Sequence, residues 1–323
     1  MKNYFNFTLT GKQLFPVWAL LIVFFFIPYS FVQYQLQHLQ DTLQGVASLG
    51  AMTPWYALML LLLLVEYAFM FYIVKLTLEH VEYNEKLLTF TGKFGDFMRV
   101  LIPGFLLTLI TFGIYGPWFL AKIMRFYAGN TRYEQDGIEF KGKGSDLFVI
   151  ILLTLVIPMV IVMVILISTL VGVALGTDVK PGNMSVVTTI VMVVLMLLVL
   201  IPYCYYVYKW YVNFRFKGYE IQWKTNFWNS AAQIALQLFL SVITIGIYSP
   251  LATLKLFQYF AERTEARSEA SSKTFGYDIE AGKDLLFIWG QLLLTAITIG
   301  IWFPWAYCSV NKRILGKTYV EAV

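Results

Sequence analysis

The amino-acid sequence predicts an α-helical polytopic membrane protein. About four full spans are joined by three re-entrant or kinked helical hairpins, arranged as internal repeats with short cytoplasmic β-hairpins between the units. Three observations predict this fold class. The first is composition: of 323 residues, 59% are hydrophobic and 13% charged, with mean hydropathy +0.68. Soluble domains run about 45–50% apolar and about 25% charged. The second is seven apolar runs, at 14–32, 55–78, 98–121, 146–176, 185–208, 231–257 and 284–308. Each is long enough for a hydrocarbon core of ~30 Å. The third is a phrase written three times: TFGIYGP at Thr111–Pro117, TIGIYSP at Thr244–Pro250 and TIGIWFP at Thr298–Pro304.

Each phrase follows a polar start of its own: FTGKFGDF at 90–97, IQWKTNFW at 221–228 and IEAGKDLLF at 279–287. FTLTGK at 7–12 and FKGKGSDLF at 140–148 are two further copies of that start. The chain therefore divides into five units, 4–86, 87–136, 137–218, 219–274 and 275–323, within a single membrane domain. Three joints, at 80–90, 131–140 and 213–223, alternate on both sides of a turn and read as β-hairpins, with Asp136-Gly137 the strongest turn signal. The joint at 264–275 is rich in Ser, Ala and Glu and reads as a loop. The alternating termini, 4–10 and 317–323, are expected to pair with neighbouring strands or with each other and so close the cytoplasmic β layer, since unpaired edges are a liability.

Charge decides how the runs sit. If all seven cross once, Lys and Arg divide evenly between the two sides. If the three phrase-bearing runs enter and leave on one side, Lys180 alone of the 24 basic residues lies on the other. Positive-inside bias favours the second arrangement, with both termini cytoplasmic and full spans at about 14–32, 55–78, 146–176 and 185–208. The phrase supplies the turn. Gly113, Gly246 and Gly300 suit the left-handed end of a helix, and Pro117, Pro250 and Pro304 suit the first turn of the next. Phe97 to Phe112 is 16 residues, ~24 Å of helix, which does not cross the core. The three tips are expected to gather within the bundle, because irregular backbone at that depth needs protein or water around it. Gly113 is expected to tolerate Val less well than Gly104. Three proline-kinked spans are the alternative.

The pattern F-x-G-x-G-x-x-[DE]-[LF], an apolar stretch, T-x-G-I-Y-x-P-W and then Asn-Thr is best written at residues 90–131, with Trp118 after the proline. It resembles the YjgN-like family of bacterial inner-membrane proteins, a domain of unknown function. The fourth and fifth units depart from it, with Leu251 for the Trp and Trp302 for the Tyr. The resemblance implies an inner-membrane location in a bacterium and brings no catalytic residues.

The residues exclude much chemistry. Two cysteines and two histidines make neither a disulfide framework nor a common zinc site. No H-E-x-x-H, G-x-S-x-G or Walker phosphate-loop motif is present, so no enzyme, cofactor or metal is expected. Asp96, Asp146 and Asp284 recur near segment starts and read as helix-end charges. Lys122, Arg125, Lys255, Lys312 and Arg313 follow the tips and are candidate lipid-headgroup contacts. Glu66 is a carboxylate at the middle of a span, for which Thr111, Thr244, Thr298 and Gln291 are candidate partners. Two functions fit: a channel or transporter for a small solute or ion, or a non-catalytic lipid-interacting or scaffolding protein. The expected partners are membrane lipids and no nucleic acid, with a homo-oligomer or membrane-protein partner left open.

Overall fold

The computed structural model describes residues 2–42, 46–174, 181–269 and 271–322. Five units follow one another, each a strand, two helical arms and a returning strand. The first holds β1 (Asn3–Phe7), α1 (Gly11–Leu21), a π-helical segment (Ile22–Phe26), α2 (Ile27–Thr42), α3 (Val46–Glu79) and β2 (Val81–Tyr83). The second holds β3 (Lys86–Phe90), α4 (Phe94–Ile110), α5 (Gly116–Gly129) and β4 (Thr131–Tyr133). The third holds β5 (Asp136–Phe140), α6 (Gly144–Ile151), a second π segment (Leu152–Val156), α7 (Ile157–Ala174), α8 (Pro181–Tyr211) and β6 (Phe214–Phe216). The fourth holds β7 (Tyr219–Trp223), α9 (Phe227–Ile243), α10 (Ser249–Ala261) and β8 (Thr264–Arg267). The fifth holds β9 (Ser272–Tyr277), α11 (Ala281–Ile297), α12 (Phe303–Leu315) and β10 (Thr318–Ala322).

The strands overturn the expected fold class. They are not isolated hairpins on an α-helical bundle: all ten join in one closed antiparallel barrel, in the order β1-β10-β9-β8-β7-β6-β5-β4-β3-β2. A two-stranded hairpin is marginal alone, and closure removes every edge. β1 pairs with both β10 and β2, so the two ends of the chain seal the ring. The pairing between hairpins, such as Leu88 with Tyr133 or Ile138 with Phe216, leaves no local sequence signal. The stretch 264–275 is not a loop but the β8–β9 hairpin, with Glu265 opposite Thr274. The turn expected at Asp136-Gly137 falls two residues earlier, because Tyr133 pairs with Asp136. Glu134 takes the left-handed φ of 58° there. Lysines of both neighbouring hairpins, Lys217 at 2.8 Å and Lys86, hold its carboxylate, and their hydrogen bonds pull it down to about 2.

Directly paired residues share a face, so the register sorts the barrel into two. One face is apolar: Phe5 opposite Tyr83, Phe140 opposite Phe214, Phe214 opposite Ile221. The other is charged or polar: Asn6 opposite Glu82, Thr89 opposite Arg132, Glu139 opposite Arg215. At the helix-side end of the apolar face, Phe7, Phe90, Phe140, Trp223 and Tyr277 are all buried against the arms. After each of them the chain turns for three residues into a helix. The first turn residue donates its N–H to the carbonyl that precedes the returning strand: Thr8 to His80, Thr91 to Asn130, Lys141 to Asn213, Lys224 to Arg263 and Asp278 to Lys317, all at 2.9–3.0 Å. Between units, α3 packs on α4, α5 on α6, α8 on α9, α10 on α11 and α12 on α1, so the helical layer closes as the barrel does.

Among the described residues, four helical stretches are long and apolar enough to cross a membrane: Gly11–Thr42, Gly50–Glu79, Gly144–Val164 and Val194–Tyr211. All belong to the first and third units. Lys180 lies outside the described residues. In both long units the outgoing helix runs through a π segment and then an Ile-Pro step, Ile27-Pro28 or Ile157-Pro158. Proline has no N–H and its ring presses on the preceding turn, a strain that a π bulge accommodates. The second, fourth and fifth units turn back instead. Their outgoing helices, α4, α9 and α11, each have 17 residues, about 26 Å at ~1.5 Å per residue.

Candidate functional site

The three reversals share one backbone. Helix α4 ends in a Schellman motif: Phe112 N–H bonds Leu109 O at 3.0 Å and Gly113 N–H bonds Thr108 O at 2.7 Å. The left-handed residue is Phe112, at φ 50°, followed by Gly113 at 89°. Ile245 and Gly246, then Ile299 and Gly300, repeat that pair at 50° and 82°, and at 50° and 84°. A β-branched residue in this region is strained, so the glycine carries only half of the reversal. The threonine clamps it. Thr111 Oγ1 donates to Leu107 O at 2.7 Å and accepts from Tyr115 N–H at 3.0 Å. Thr244 and Tyr248, then Thr298 and Trp302, do the same. Pro117, Pro250 and Pro304 open the returning helices.

The tips do not gather within the bundle. Phe112, Ile245 and Ile299 are 97%, 93% and 91% exposed. Part of the physical reason is local: the threonine clamp and the turn's own bonds occupy the N–H groups of the reversal. Indoles of the next unit add to this: Trp289 Nε1 donates to Ile247 O at 2.8 Å and Trp18 Nε1 to Gly300 O at 2.9 Å. Gly104 also differs from expectation. A Cβ there would strike the Phe119 ring, whereas one at Gly113 would meet open space and suffer only from φ.

The residue seven places after each helix-side strand residue lies buried in the helical core: Leu14, Phe97, Leu147, Ser230 and Asp284. The first three units keep this layer apolar; in the second, the Phe97 and Phe126 rings sit 5.4 Å apart. The fourth unit is hydroxylic: Ser230 Oγ lies 2.5 Å from Thr225 Oγ1 and 3.1 Å from the Tyr259 hydroxyl. The fifth is ionic. Asp284 is 0% exposed and receives Arg313 Nε at 2.5 Å, Lys317 Nζ at 2.6 Å and the Glu280 N–H at 2.8 Å. Lys317 also reaches Glu280 at 3.0 Å, and the Arg313 guanidinium lies 4.7 Å from the Phe287 ring centre. Burial pushes the Asp284 carboxyl up, but the hydrogen bonds from Lys317, Arg313 and the Glu280 backbone outweigh it and leave it below the ordinary carboxylate range. Two buried side-chain polar atoms among the described residues lack a partner, Trp223 Nε1 and Tyr277 Oη, and they belong to these same two units. Tyr277, Asp284, Phe287 and Arg313 line a narrow pocket between β9, α11 and α12. Burial and the Asp284 charge push the Tyr277 hydroxyl up. No group of three or more His, Cys, Asp or Glu among the described residues could hold a metal ion.

Asp284 is thus not the counterpart of Asp96 and Asp146, which sit one residue earlier in the frame. A helix turns ~100° per residue, so Asp96 is exposed beside Arg99 at 2.9 Å while Asp284 points into the core. Of the residues expected to touch lipid headgroups, Arg313 is instead engaged with Asp284, and Arg125 donates to Gly142 O at 2.9 Å. Lys122 and Lys255 lie 5.5 and 5.7 Å from the Tyr115 and Tyr248 ring centres, and Lys312 is exposed. Thr111, Thr244 and Thr298 spend their hydroxyls within their own turns, and Gln291 Oε1 accepts from Trp302 Nε1 at 3.0 Å. Glu66 therefore shares no hydrogen bond with any of the four. Gln237, buried and bonded to the Tyr248 hydroxyl at 3.0 Å, was legible as Gln291 was: each glutamine precedes its phrase threonine by seven residues.

A closed strand ring carrying apolar spans and exposed apolar tips defines a membrane protein. Over residues 2–283 the chain matches the family described as bacterial proteins of unknown function (DUF898), and it belongs to that family. It is also 39% identical over 70 residues to the inner membrane protein YjgN of Salmonella typhimurium, a stretch covering 22% of this chain and 18% of that relative. No solved structure matches.

Proposed function

We propose that this is a non-catalytic lipid-interacting protein of the bacterial inner membrane. The barrel and both termini lie at the cytoplasmic surface, and three hairpins reach partway into the bilayer from that side as members of a five-fold internal repeat. The observation that carries this reading is the character of the tips: bulky apolar residues, left-handed, more than 90% exposed, and with the N–H groups of the turn already bonded. Bulky apolar side chains held this exposed are costly in water and are at home against acyl chains. The exposed faces of the arms are apolar as well, as at Ile102, Leu106 and Ile110 of α4. Lys122, Lys255 and Lys312 then face the anionic leaflet, where each basic group is worth ~1 kcal/mol.

A hairpin that reaches only partway displaces lipid in one leaflet and leaves the other to thin over it. In vesicles mixing short- and long-chain lipids, energy transfer to chain-labelled lipid therefore reports a short-chain shell around the protein. A shell with the bulk composition removes this reading. The channel or transporter reading keeps one observation in its favour, the mid-span carboxylate Glu66.

A further inference from the structure

We infer, resting on the lipid-facing reading above, that Lys122 and Arg125 of α5, beside the start of α6, bind the phosphate of an anionic phospholipid. Trp118 sets its ring 5.1 Å from that of Phe148 on α6, between centres. Lys122 and Arg125 follow Trp118 by four and seven residues and so share its face of α5. Phe119 and Phe126 belong to the core with α4, and Ala121 and Ala128 to the core with α6 and α8, which leaves Lys122 and Arg125 exposed. Arg125 Nη2 donates to the carbonyl of Gly142, two residues before α6 begins, at 2.9 Å. That bond holds the guanidinium at the helix start and leaves its other N–H donors to give. Lys122 makes no hydrogen bond or ion pair among the described residues, and its ammonium lies 5.5 Å from the Tyr115 ring centre.

No carboxylate among the described residues pairs with either cation. Asp96 of α4 is taken by Arg99 at 2.9 Å. Asp146 lies two residues past Gly144, whose Cα sits against Trp118, and so points ~200° round α6 from that contact. Two like charges three residues apart on a helix repel. Arg125 and Lys122 also stand five and eight residues before Asn130, ~8 and ~12 Å along the arm, where a cation among acyl chains is costly. One anion between them relieves both. Arginine's planar fork matches phosphate oxygens, and lysine adds a point charge. Beyond the pair, Val149, Leu153 and Val156 of the α6 arm are exposed; they offer a surface to acyl chains and nothing to a free anion. A zwitterionic headgroup carries its own cation, which competes with the pair, so the site selects an anionic one.

The pair is particular to the second unit. Eight and five residues before the carbonyl that precedes each returning strand, the first unit has Tyr72 and Lys75, the third Tyr205 and Tyr208, the fourth Lys255 and Gln258, and the fifth Ser309 and Lys312. Lys75 has Glu79 at 3.9 Å. Lys255 repeats the approach to a tyrosine, 5.7 Å from the Tyr248 ring centre, without a second base beside it. The shared frame thus accounts for a lone lysine and not for the adjoining arginine.

Native mass spectrometry of the full chain released from detergent micelles tests the assignment, with phosphatidylglycerol or phosphatidylcholine of the same acyl chains added. One phosphatidylglycerol is expected to stay bound, at least about tenfold more tightly than phosphatidylcholine. Lys122→Gln removes no hydrogen bond, so it should fold and weaken phosphatidylglycerol about fivefold. Adding Arg125→Gln should abolish the preference, and Lys122→Gln alone carries the test if that double variant does not fold. Arg132→Gln, the same loss of charge on the barrel, should leave the preference intact. Equal binding of the two lipids by the wild type, or equal losses in Lys122→Gln and Arg132→Gln, overturns the proposal. Displacement of the lipid by millimolar inorganic phosphate also overturns it and makes the site one for a soluble anion. The short-chain shell needs neither cation, so a wild type with that shell and no phosphatidylglycerol preference refutes this site and leaves the earlier reading standing.

Discussion

The second and fifth units have the same tip and different cores. In both, a 17-residue helix ends in a left-handed pair, a threonine clamps the turn, and a proline opens the return. Beneath that common reversal, the second unit packs Phe97 on Phe126 while the fifth sets Asp284 between Arg313 and Lys317. The reversal is held by the same local hydrogen bonds in both units, so it varies little. The core layer beside the barrel has no such constraint, and there the units diverge from apolar to hydroxylic to ionic.

The sharpest way to break the comparison is Asp284→Leu. It makes the fifth core half apolar and leaves two cations without their buried partner, which costs about 3–5 kcal/mol. Thermal unfolding in detergent micelles should register a large fall in Tm. Completing the conversion, with Arg313→Phe and Lys317→Asn to copy Phe126 and Asn130, should recover most of that loss, since an apolar replacement of a buried ion group is often neutral. If the triple variant is no more stable than Asp284→Leu, the two units are not built on one frame.

Glycine substitutions come next. Gly104→Val drives a side chain into the Phe119 ring and should cost about 1–3 kcal/mol as overpacking. Gly113→Ala pays for a left-handed φ alone, about 1–2 kcal/mol. A ranking in which Gly113 is the more sensitive site would mean that the tip, not the arm packing, limits stability. The smallest expected effect is at the clamp. Thr111→Val removes one donated and one accepted hydrogen bond for about 1 kcal/mol. The loss should be similar for Thr298→Val, because the fifth tip is the same tip. A much larger loss at Thr298 alone would show that the ionic core and the tip are coupled.

Much of this is local and so was legible. The spans and the reversals rest on runs and phrases of a few residues, and the three early hairpins on alternation around a turn. Pairing of the two terminal strands was legible in their alternation, and β1 does pair with β10 and β2, but the ten-stranded barrel was not, because register between hairpins, such as Glu220 opposite Arg267, is set by residues dozens of positions apart. The β8–β9 hairpin was hidden by its Ser and Ala content, which resembles a loop until Ala266 pairs with Lys273. The ionic core was hidden by a single step of register: Asp284 looks like Asp96 in the sequence and differs from it by one ~100° turn of helix. Tip exposure was misjudged because the threonine clamp, which bonds the turn's N–H groups locally, is a geometry and not a motif.

The central claim is that the three reversals lie among acyl chains while their arms return to one surface. Nitroxide labels at positions 112, 245 and 299, in protein whose Cys204 and Cys308 are replaced by serine, measure it directly through relative accessibility to oxygen and to a water-soluble nickel chelate. The expected result is oxygen-rich, chelate-poor signals at all three tips, at matching depths, with labels at the strand turns 84 and 218 freely reached by the chelate. Tips open to the chelate would contradict the claim, whichever side of the membrane the chelate was added to.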